Sequence, residues 1–180
     1  MPSIAEALRL ATSFVAAPEE EKSRELIQTL LEHTSAPFSR DQFHPGHITC
    51  TALVLHPDGR RVLLVYHHRH RRWLLPGGHV EESDGSLSDT ARREAVEETA
   101  VRVSSGSVAR LVGMDVHGIP ARKSEPFHLH HDWIFTMDAE SSDVTCTGEA
   151  PNVAWCGMDE VDRYGVPASI VRAFCRAATR

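Results

Sequence analysis

Two amphipathic helical patterns open the chain. Ser3 and Glu6 form a capping-box pattern ahead of apolar residues at helical spacing, namely Ile4, Leu8, Ala11 and Val15. A second helix is predicted to begin at Pro18, with acidic residues in its first turn and an apolar side formed by Leu26, Ile27, Leu30 and Leu31. We assign residues 1–46 to an N-terminal helical extension that packs against the core; a dimer contact or a lid is the alternative role.

From residue 47 onward, strand patterns alternate with helical ones. Residues 47–55 are β-rich and apolar on both alternating sets, which is typical of a strand covered on both faces. Further strands are predicted at 61–66, 108–116, 128–137 and 153–156, and helices at 87–99, 159–164 and from Pro167. This alternation predicts an α/β fold, an α/β/α sandwich around a mixed sheet.

The helix predicted at 87–99 carries candidate chemistry. Ser86 is a good N-cap residue, and no Gly or Pro interrupts the run that follows. At about 100° per residue, Glu94, Glu97 and Glu98 fall within a sector about 100° wide. Like charges so close destabilise a helix unless something neutralises them. The pattern indicates either a solvated acidic face or a site for a hard cation such as Mg²⁺, which prefers oxygen ligands.

The residues around this helix resemble the Nudix box of the Nudix hydrolases. That signature is Gly, five residues, Glu, seven residues, then Arg-Glu-aliphatic-x-Glu-Glu-x-Gly-aliphatic. Gly78 opens the match, and residues 93–101, which read REAVEETAV, close it. The spacer is one residue longer than in the signature, Asp84 stands where its first Glu is expected, and Ala100 replaces its last Gly. The resemblance assigns residues 47–180 to a Nudix hydrolase domain.

The resemblance implies a catalytic set of Arg93, Glu94, Glu97 and Glu98. The three glutamates would hold Mg²⁺ or Mn²⁺, and Glu98 or Glu94 would act as the general base. A backbone carbonyl of the Gly77-Gly78 turn, assigned to Gly78, would serve as a further metal ligand. Arg93 is expected to orient the loop by pairing with Asp84 or a nearby acid. Nudix enzymes often supply one more acid from outside the box, and Glu149 is the candidate here.

Two further features suggest substrate binding. The basic segment 67–72, which includes Arg69, is either a solvated hairpin tip or a cationic rim that attracts a polyphosphate. In the strand at 128–137, His128, His130 and Asp132 alternate with apolar residues and therefore share one face. Zinc binding is one interpretation of that face, but no third ligand is identifiable from the pattern. We assign His128 and His130, with Arg69 and Glu149, to the substrate pocket.

Composition excludes some partners. The 180-residue chain has a formal net charge of −6, which does not favour binding to a nucleic acid polymer. No stretch is long and apolar enough to span a membrane. Cys50, Cys146, Cys156 and Cys175 form no Cys-x-x-Cys pair, which favours a reduced cytoplasmic protein. The expected partner is a small nucleotide or diphosphate substrate, with a homodimer as a further expectation.

These observations favour a metal-dependent hydrolase that cleaves a phosphoanhydride in a nucleoside diphosphate linked to another moiety, or in a related diphosphate. One alternative is a Nudix-fold binding module or regulator that has lost catalysis. Another is an isomerase similar to isopentenyl diphosphate isomerase, which has the same fold and a histidine-rich metal site. His44, His47 and His79 keep that alternative open.

Overall fold

The computed structural model describes residues 1–68, 71–104, 106, 108–122, 125–147 and 152–179. Five helices lie within these ranges: α1 (Ile4–Ser13), α2 (Glu21–His33), α3 (Leu87–Thr99), α4 (Val161–Tyr164) and α5 (Ala168–Ala178). A single turn of 3-10 helix, Met158–Glu160, precedes α4. None of the helices in the described ranges is both long and apolar enough to cross a membrane.

Seven strands in the same ranges form one mixed sheet. They are β1 (Gly46–Leu55), β2 (Arg61–His67), β3 (Arg72–Leu74), β4 (Gly77–His79), β5 (Arg110–Ile119), β6 (His128–Asp138) and β7 (Val153–Gly157). The main order is β3-β2-β1-β6-β5, with β4 paired to β1 and β7 paired to β2. β1 and β6 are parallel, and the other pairs are antiparallel. Strand β1 is therefore central and touches β2, β4 and β6.

Helices cover both faces of the sheet, so the predicted sandwich is confirmed. On one face, α1, α2 and α3 bury apolar residues against alternate residues of β1 and β6, including Cys50 and Trp133. On the other face, α5 packs Ile170 and Phe174 against Leu53 and its neighbours. The buried faces follow from the alternation of side chains along each strand. The α5 side is apolar only toward the carboxyl ends of β1 and β6, which leaves polar residues at their beginnings.

The N-terminal helices belong to the hydrophobic core, as the sequence predicts. Ser3 caps α1, because its Oγ accepts a hydrogen bond of 3.1 Å from the Glu6 N–H. Helix α2 begins at Glu21, three residues later than predicted, because residues 18–20 form a turn. In that turn the Glu20 carboxylate accepts a hydrogen bond from the Ala17 N–H at 2.9 Å. Whether residues 1–46 constitute a separate domain remains a prediction.

Candidate active site

Helix α3 is a rigid platform for its acidic residues. Ser86 caps it by accepting a 3.1 Å hydrogen bond from the Asp89 N–H, as the sequence predicts. Leu87, Ala91 and Ala95 are buried against the sheet and fix the rotation of the helix. That rotation leaves the carboxylates along an edge of the buried stripe: Glu94 and Glu98 are half-buried and Glu97 is exposed.

The two glycines of strand β4 contact two of these carboxylates. The sequence predicts a turn at Gly77 and Gly78, but both lie in β4, paired with Thr51 and Cys50 of β1. A Cβ atom at Gly78 would lie 2.4 Å from the Glu94 Oε1, and the Gly77 N–H donates to the Glu98 Oε2 at 3.1 Å. Glycine at position 78 leaves room for Glu94, whereas glycine at position 77 leaves room for β1, since a Cβ there would lie 2.8 Å from the Cys50 carbonyl oxygen. The prediction of a turn is therefore wrong because pairing with β1 extends the two glycines.

Arg93 links the loop before α3 to the acidic residues of the helix. Its Nε donates to the Asp84 Oδ1 at 3.1 Å, and its Nη2 donates to the His79 carbonyl at 2.8 Å. Its Nη1 lies 3.0 Å from the Glu94 Oε1 and 2.9 Å from the Glu97 Oε2. One guanidinium thus holds β4, the loop and two carboxylates in one arrangement. The predicted pair between Arg93 and Asp84 is present.

Asp84, at the position where the signature has a glutamate, is bonded to the loop, to α3 and to Arg93. It is buried, and it accepts hydrogen bonds from the Glu81 N–H at 2.9 Å and the Thr90 hydroxyl at 2.8 Å as well as from Arg93. Burial raises the pKa of this carboxyl, but the bonds from Arg93, Glu81 and Thr90 outweigh it and hold the pKa below the ordinary value. The longer loop therefore accommodates a shorter acid.

The electrostatics of the glutamates suit a divalent cation. Burial raises the pKa of the Glu94 carboxyl above its ordinary value although Arg93 lies beside it, and the charges of Glu97 and Glu81 act in the same direction. Carboxylate oxygens are the ligands that Mg²⁺ and Mn²⁺ prefer. Glu94, Glu97 and Glu98 offer such oxygens, and Gly78 beside them has no side chain in the way. These donors therefore fit Mg²⁺ or Mn²⁺, as the sequence predicts.

A cluster of histidines lies on the sheet face opposite to α3. His128 and His130 share that face with His47 of β1, and Leu53 of the same β1 face packs against α5. The ring centroids of His47 and His79 are 5.0 Å apart, and His117 lies 5.7 Å from His130. The sequence predicts His128 with His130 on one strand and names His47 and His79 as a separate histidine set. It does not predict His117 or the meeting of the two sets, because only strand pairing brings them together.

Most rings in this cluster are held neutral. Burial, with neighbouring histidines, lowers the pKa of His79 to about 4 and the pKa of His130 to about 2. Burial also lowers the pKa of His47. The Asp115 carboxylate, 3.0 Å from the Nδ1 of His117, raises the pKa of that ring instead. A neutral imidazole offers one nitrogen lone pair, which can accept a hydrogen bond or bind a metal.

Two of the predicted substrate-binding residues, Arg69 and Glu149, lie outside the residues that the structure describes. Their assignment stays a prediction. His128 and His130 do lie side by side, with ring centroids 5.2 Å apart, but their role toward a substrate also stays a prediction. Farther along the same face of β6, Asp132 is buried and accepts hydrogen bonds from the hydroxyls of Thr49 and Thr51.

Comparison with known proteins gives the context of this site. The family profile described as "NUDIX domain" matches residues 46–174. A hydrolase of the NUDIX family from Clostridium perfringens is similar in structure, with 17% sequence identity and a TM-score of 0.57 over 73% of this chain and 95% of that chain. The NUDIX domain of Shewanella oneidensis NrtR, complexed with ADP ribose, gives 20% identity and a TM-score of 0.56 over 83% and 94%.

A third similar structure is a C. elegans Ap4A hydrolase binary complex, with 16% identity and a TM-score of 0.51 over 72% of this chain and 93% of that chain. No curated protein matches the sequence. At these identities the solved structures show a shared fold, and the family profile covers well over half of the chain.

Proposed function

The chain belongs to the Nudix family, and we propose that it is a metal-dependent hydrolase of a phosphoanhydride bond. The substrate class is a nucleoside diphosphate linked to another moiety, or a related diphosphate. Two contacts between α3 and β4 support this most. Glu94 packs directly against Gly78, and Glu98 accepts a hydrogen bond from the Gly77 N–H. A merely solvated acidic face does not require one carboxylate to pack against a glycine of an adjacent strand and a second to accept the backbone N–H of that strand.

Different side chains of α3 would bind the metal, accept a proton and position the other groups. Glu94, Glu97 and Glu98, with the Gly78 carbonyl, would hold Mg²⁺ or Mn²⁺. When bound, such a cation neutralises phosphate charge and acidifies a coordinated water. Glu98 or Glu94 would accept the proton of the attacking water, since both lie beside β4. Arg93 would act as a positioning residue, because its five hydrogen bonds fix β4, the loop and two carboxylates.

The substrate itself is best identified by a panel. ADP-ribose and diadenosine tetraphosphate belong in it because one similar structure is a complex with ADP ribose and another is an Ap4A hydrolase. Nucleotide sugars and simple diphosphates complete it. Each compound is incubated with the full chain in Mg²⁺ or Mn²⁺, and the products are separated by chromatography. Cleavage of at least one anhydride that requires the cation supports the proposal. Tight calorimetric binding without turnover across the panel would instead indicate a binding module.

An isomerase of isoprenoid diphosphates is a second candidate, favoured by one observation. Two of the three histidines that suggested it, His47 and His79, lie together in the structure, with ring centroids 5.0 Å apart. The third, His44, is exposed. Isopentenyl diphosphate therefore belongs in the same panel, and proton NMR of the product distinguishes double-bond migration from release of phosphate. We place hydrolysis first because the carboxylate set of α3 is complete.

The free cysteines support a location inside the cell. Cys50 and Cys156 are buried, Cys146 and Cys175 are exposed, and all four are thiols. Structural disulfides form in oxidising compartments, so four unpaired thiols suit a reducing one. We therefore propose that the protein is cytoplasmic. The homodimer expected from the sequence stays a prediction, to be checked by light scattering.

A further inference from the structure

The histidine cluster supports a second metal site, on the face of the sheet opposite to α3. We propose that His47, His79 and His130 together bind one divalent transition-metal ion of the zinc, cobalt or nickel type. This inference does not rest on the proposed hydrolysis, since it concerns different residues and a different class of ion.

The sheet itself brings the three side chains together. His130 of β6 is directly opposite His47 of β1, and His79 of β4 is opposite Thr49, two residues along β1. The three histidines therefore come from three adjacent strands and point to one face. One nitrogen from each ring lies within 4.8 Å of the others. Nitrogens around tetrahedral zinc lie about 3.4 Å apart for a Zn–N distance of about 2.1 Å. Small rotations of the half-buried His79 and His130 rings would close that gap.

The hydrogen bonds of His47 leave one nitrogen directed to this cluster. Its Nδ1 lies 3.1 Å from the Gln42 carbonyl, an acceptor, so this nitrogen carries the ring proton. The Nε2 then carries the lone pair of the ring. This nitrogen is buried and has no hydrogen-bond partner among the described residues. Buried polar atoms in folded proteins nearly always have a partner. A metal ion at this point supplies one.

Two neighbouring rings are held in the same manner. The Nδ1 of His128 lies 2.8 Å from the Pro126 carbonyl, and the Nδ1 of His117 lies 3.0 Å from the Asp115 carboxylate. Histidines that bind metals usually donate their other ring N–H to a carbonyl or carboxylate, which fixes the ring orientation. Of the three proposed ligands, His47 has such a partner in the Gln42 carbonyl, and the adjacent rings of His128 and His117 are fixed in the same way.

The three imidazole donors indicate the class of ion. Three imidazole nitrogens favour zinc, nickel, copper or ferrous iron, whereas Mg²⁺ prefers oxygen ligands such as those on α3. Three protein ligands leave at least one coordination position for water or an oxygen of a bound molecule. Strand β4 separates the two candidate sites: a Cβ on Gly78 would meet Glu94, whereas the adjacent His79 points to the histidine face.

The direct test is metal stoichiometry under conditions that saturate the carboxylates. The full chain is stripped with a chelator and dialysed into millimolar Mg²⁺. It is then titrated with Co²⁺, followed by absorption of the visible d–d bands, and with Zn²⁺, followed by calorimetry and elemental analysis. The wild type should bind one equivalent of either ion in the presence of Mg²⁺. Failure to bind a stoichiometric equivalent overturns the proposal, whatever the hydrolytic activity.

Single substitutions identify the ligands. His79→Gln and His130→Gln should each weaken Zn²⁺ and Co²⁺ binding by at least about tenfold, because each removes a donor nitrogen. The exposed His33→Gln is the matched control and should bind as the wild type does. Glu97→Gln should also keep the Co²⁺ spectrum, which separates this site from the site of proposed hydrolysis. Unchanged affinity in both His79→Gln and His130→Gln would contradict the proposal.

A measurement on the wild type covers the case in which a histidine variant does not fold. Zinc is added to ¹⁵N-labelled protein in millimolar Mg²⁺, and the ring nitrogens are followed by long-range ¹H–¹⁵N NMR. The Nε2 signal of His47 should shift, while the Nδ1 signal keeps the pattern of a protonated nitrogen. The His33 ring should not change. A spectrum in which no clustered histidine responds to one equivalent of zinc would overturn the assignment.

Discussion

At the scale of single residues, Ala100 holds a conformation that suits glycine better. It ends α3 with φ 50° and ψ 21°, and its N–H donates to the Val96 carbonyl. A left-handed conformation costs a residue with a Cβ about 1–2 kcal/mol, and part of that is offset by the greater freedom of glycine in the unfolded chain. We expect Ala100→Gly to raise the free energy of unfolding by about 0.5–1 kcal/mol, measured by urea denaturation.

The control for this change is Ala5→Gly, at an exposed helical position of α1. There glycine should lower the free energy of unfolding by up to about 1 kcal/mol. Opposite signs at the two positions would confirm the backbone explanation. A loss of stability in Ala100→Gly as well would show that the Cβ of Ala100 makes a contact worth more than the strain.

Asp84 is the second residue whose role can be measured. Removing its carboxylate leaves Arg93, which is mostly buried, without its principal partner. We expect Asp84→Ala to lower the free energy of unfolding by about 3 kcal/mol, as for a broken buried ion pair, and to reduce kcat through the displaced guanidinium. The exposed Glu82→Ala is the control and should change neither quantity. Unchanged kinetics in Asp84→Ala would assign the role to Glu81, whose Oε1 lies 3.9 Å from the Arg93 Nη1.

The same carboxyl predicts a pH dependence. Its pKa is lower in the folded chain than the ordinary value of 3.8, so its contribution is fully present above that value. The contribution disappears as the pH falls through the lowered pKa. We therefore expect the stability difference between wild type and Asp84→Asn to be constant near neutral pH and to shrink below about pH 4. A difference that shrinks between pH 7 and 5 would contradict this assignment.

At the scale of elements, a buried ion pair joins the turn before α2 to α5. The Glu20 carboxylate is 1% exposed, and its Oε2 lies 2.6 Å from the Arg176 Nη2. Glu20→Gln keeps the size of the side chain but leaves Arg176 without an anion. We expect the free energy of unfolding to fall by about 3 kcal/mol, measured by urea denaturation at neutral pH. The adjacent exposed Glu19→Gln should have no measurable effect.

An equal stability of the Glu20→Gln and Glu19→Gln variants would show that the N-terminal helices stay docked through apolar contacts alone. Those contacts are extensive, since Ala7, Ala11, Ile27 and Leu30 are all in the core.

The elements also show which structural features are determined by residues close together in the sequence and which depend on distant ones. Helix α3 has the predicted bounds because its cap, its composition and its apolar stripe all lie within one stretch. The predicted start of α2 is three residues too early, because Glu20 lies in a turn. There its carboxylate accepts hydrogen bonds from the Ala17 N–H and from Arg176, which is far away in the chain. The strand at Gly77 and Gly78 was missed because glycine favours turns locally, and only pairing with β1 extends it.

At the scale of the whole molecule, the sheet places two chemically different candidate sites on either side of the short strand β4. On one side of β4 lie the carboxylates of α3, which the sequence motif predicts because they occupy one helix. On the other side lie the histidines, whose partners come from four strands spread over more than eighty residues. Periodicity predicts the face of each strand but not the register between strands, so the sequence predicts His128 with His130 and, separately, His47 with His79, but not that these two pairs meet.

The carboxylates of α3 are central to the proposed hydrolysis, and their removal tests it most directly. Glu97→Gln and Glu98→Gln keep side-chain size while each deletes a charged ligand. With the best substrate of the panel at limiting Mg²⁺, we expect both variants to lose activity by about 10²-fold or more. The melting temperature of Glu98→Gln should equal or exceed that of the wild type, because repulsion on the helix is relieved. That of Glu97→Gln should change little, because this variant also loses the exposed ion pair with Arg93. Near wild-type hydrolysis by either variant, alongside an unchanged Glu82→Gln control, would contradict the account.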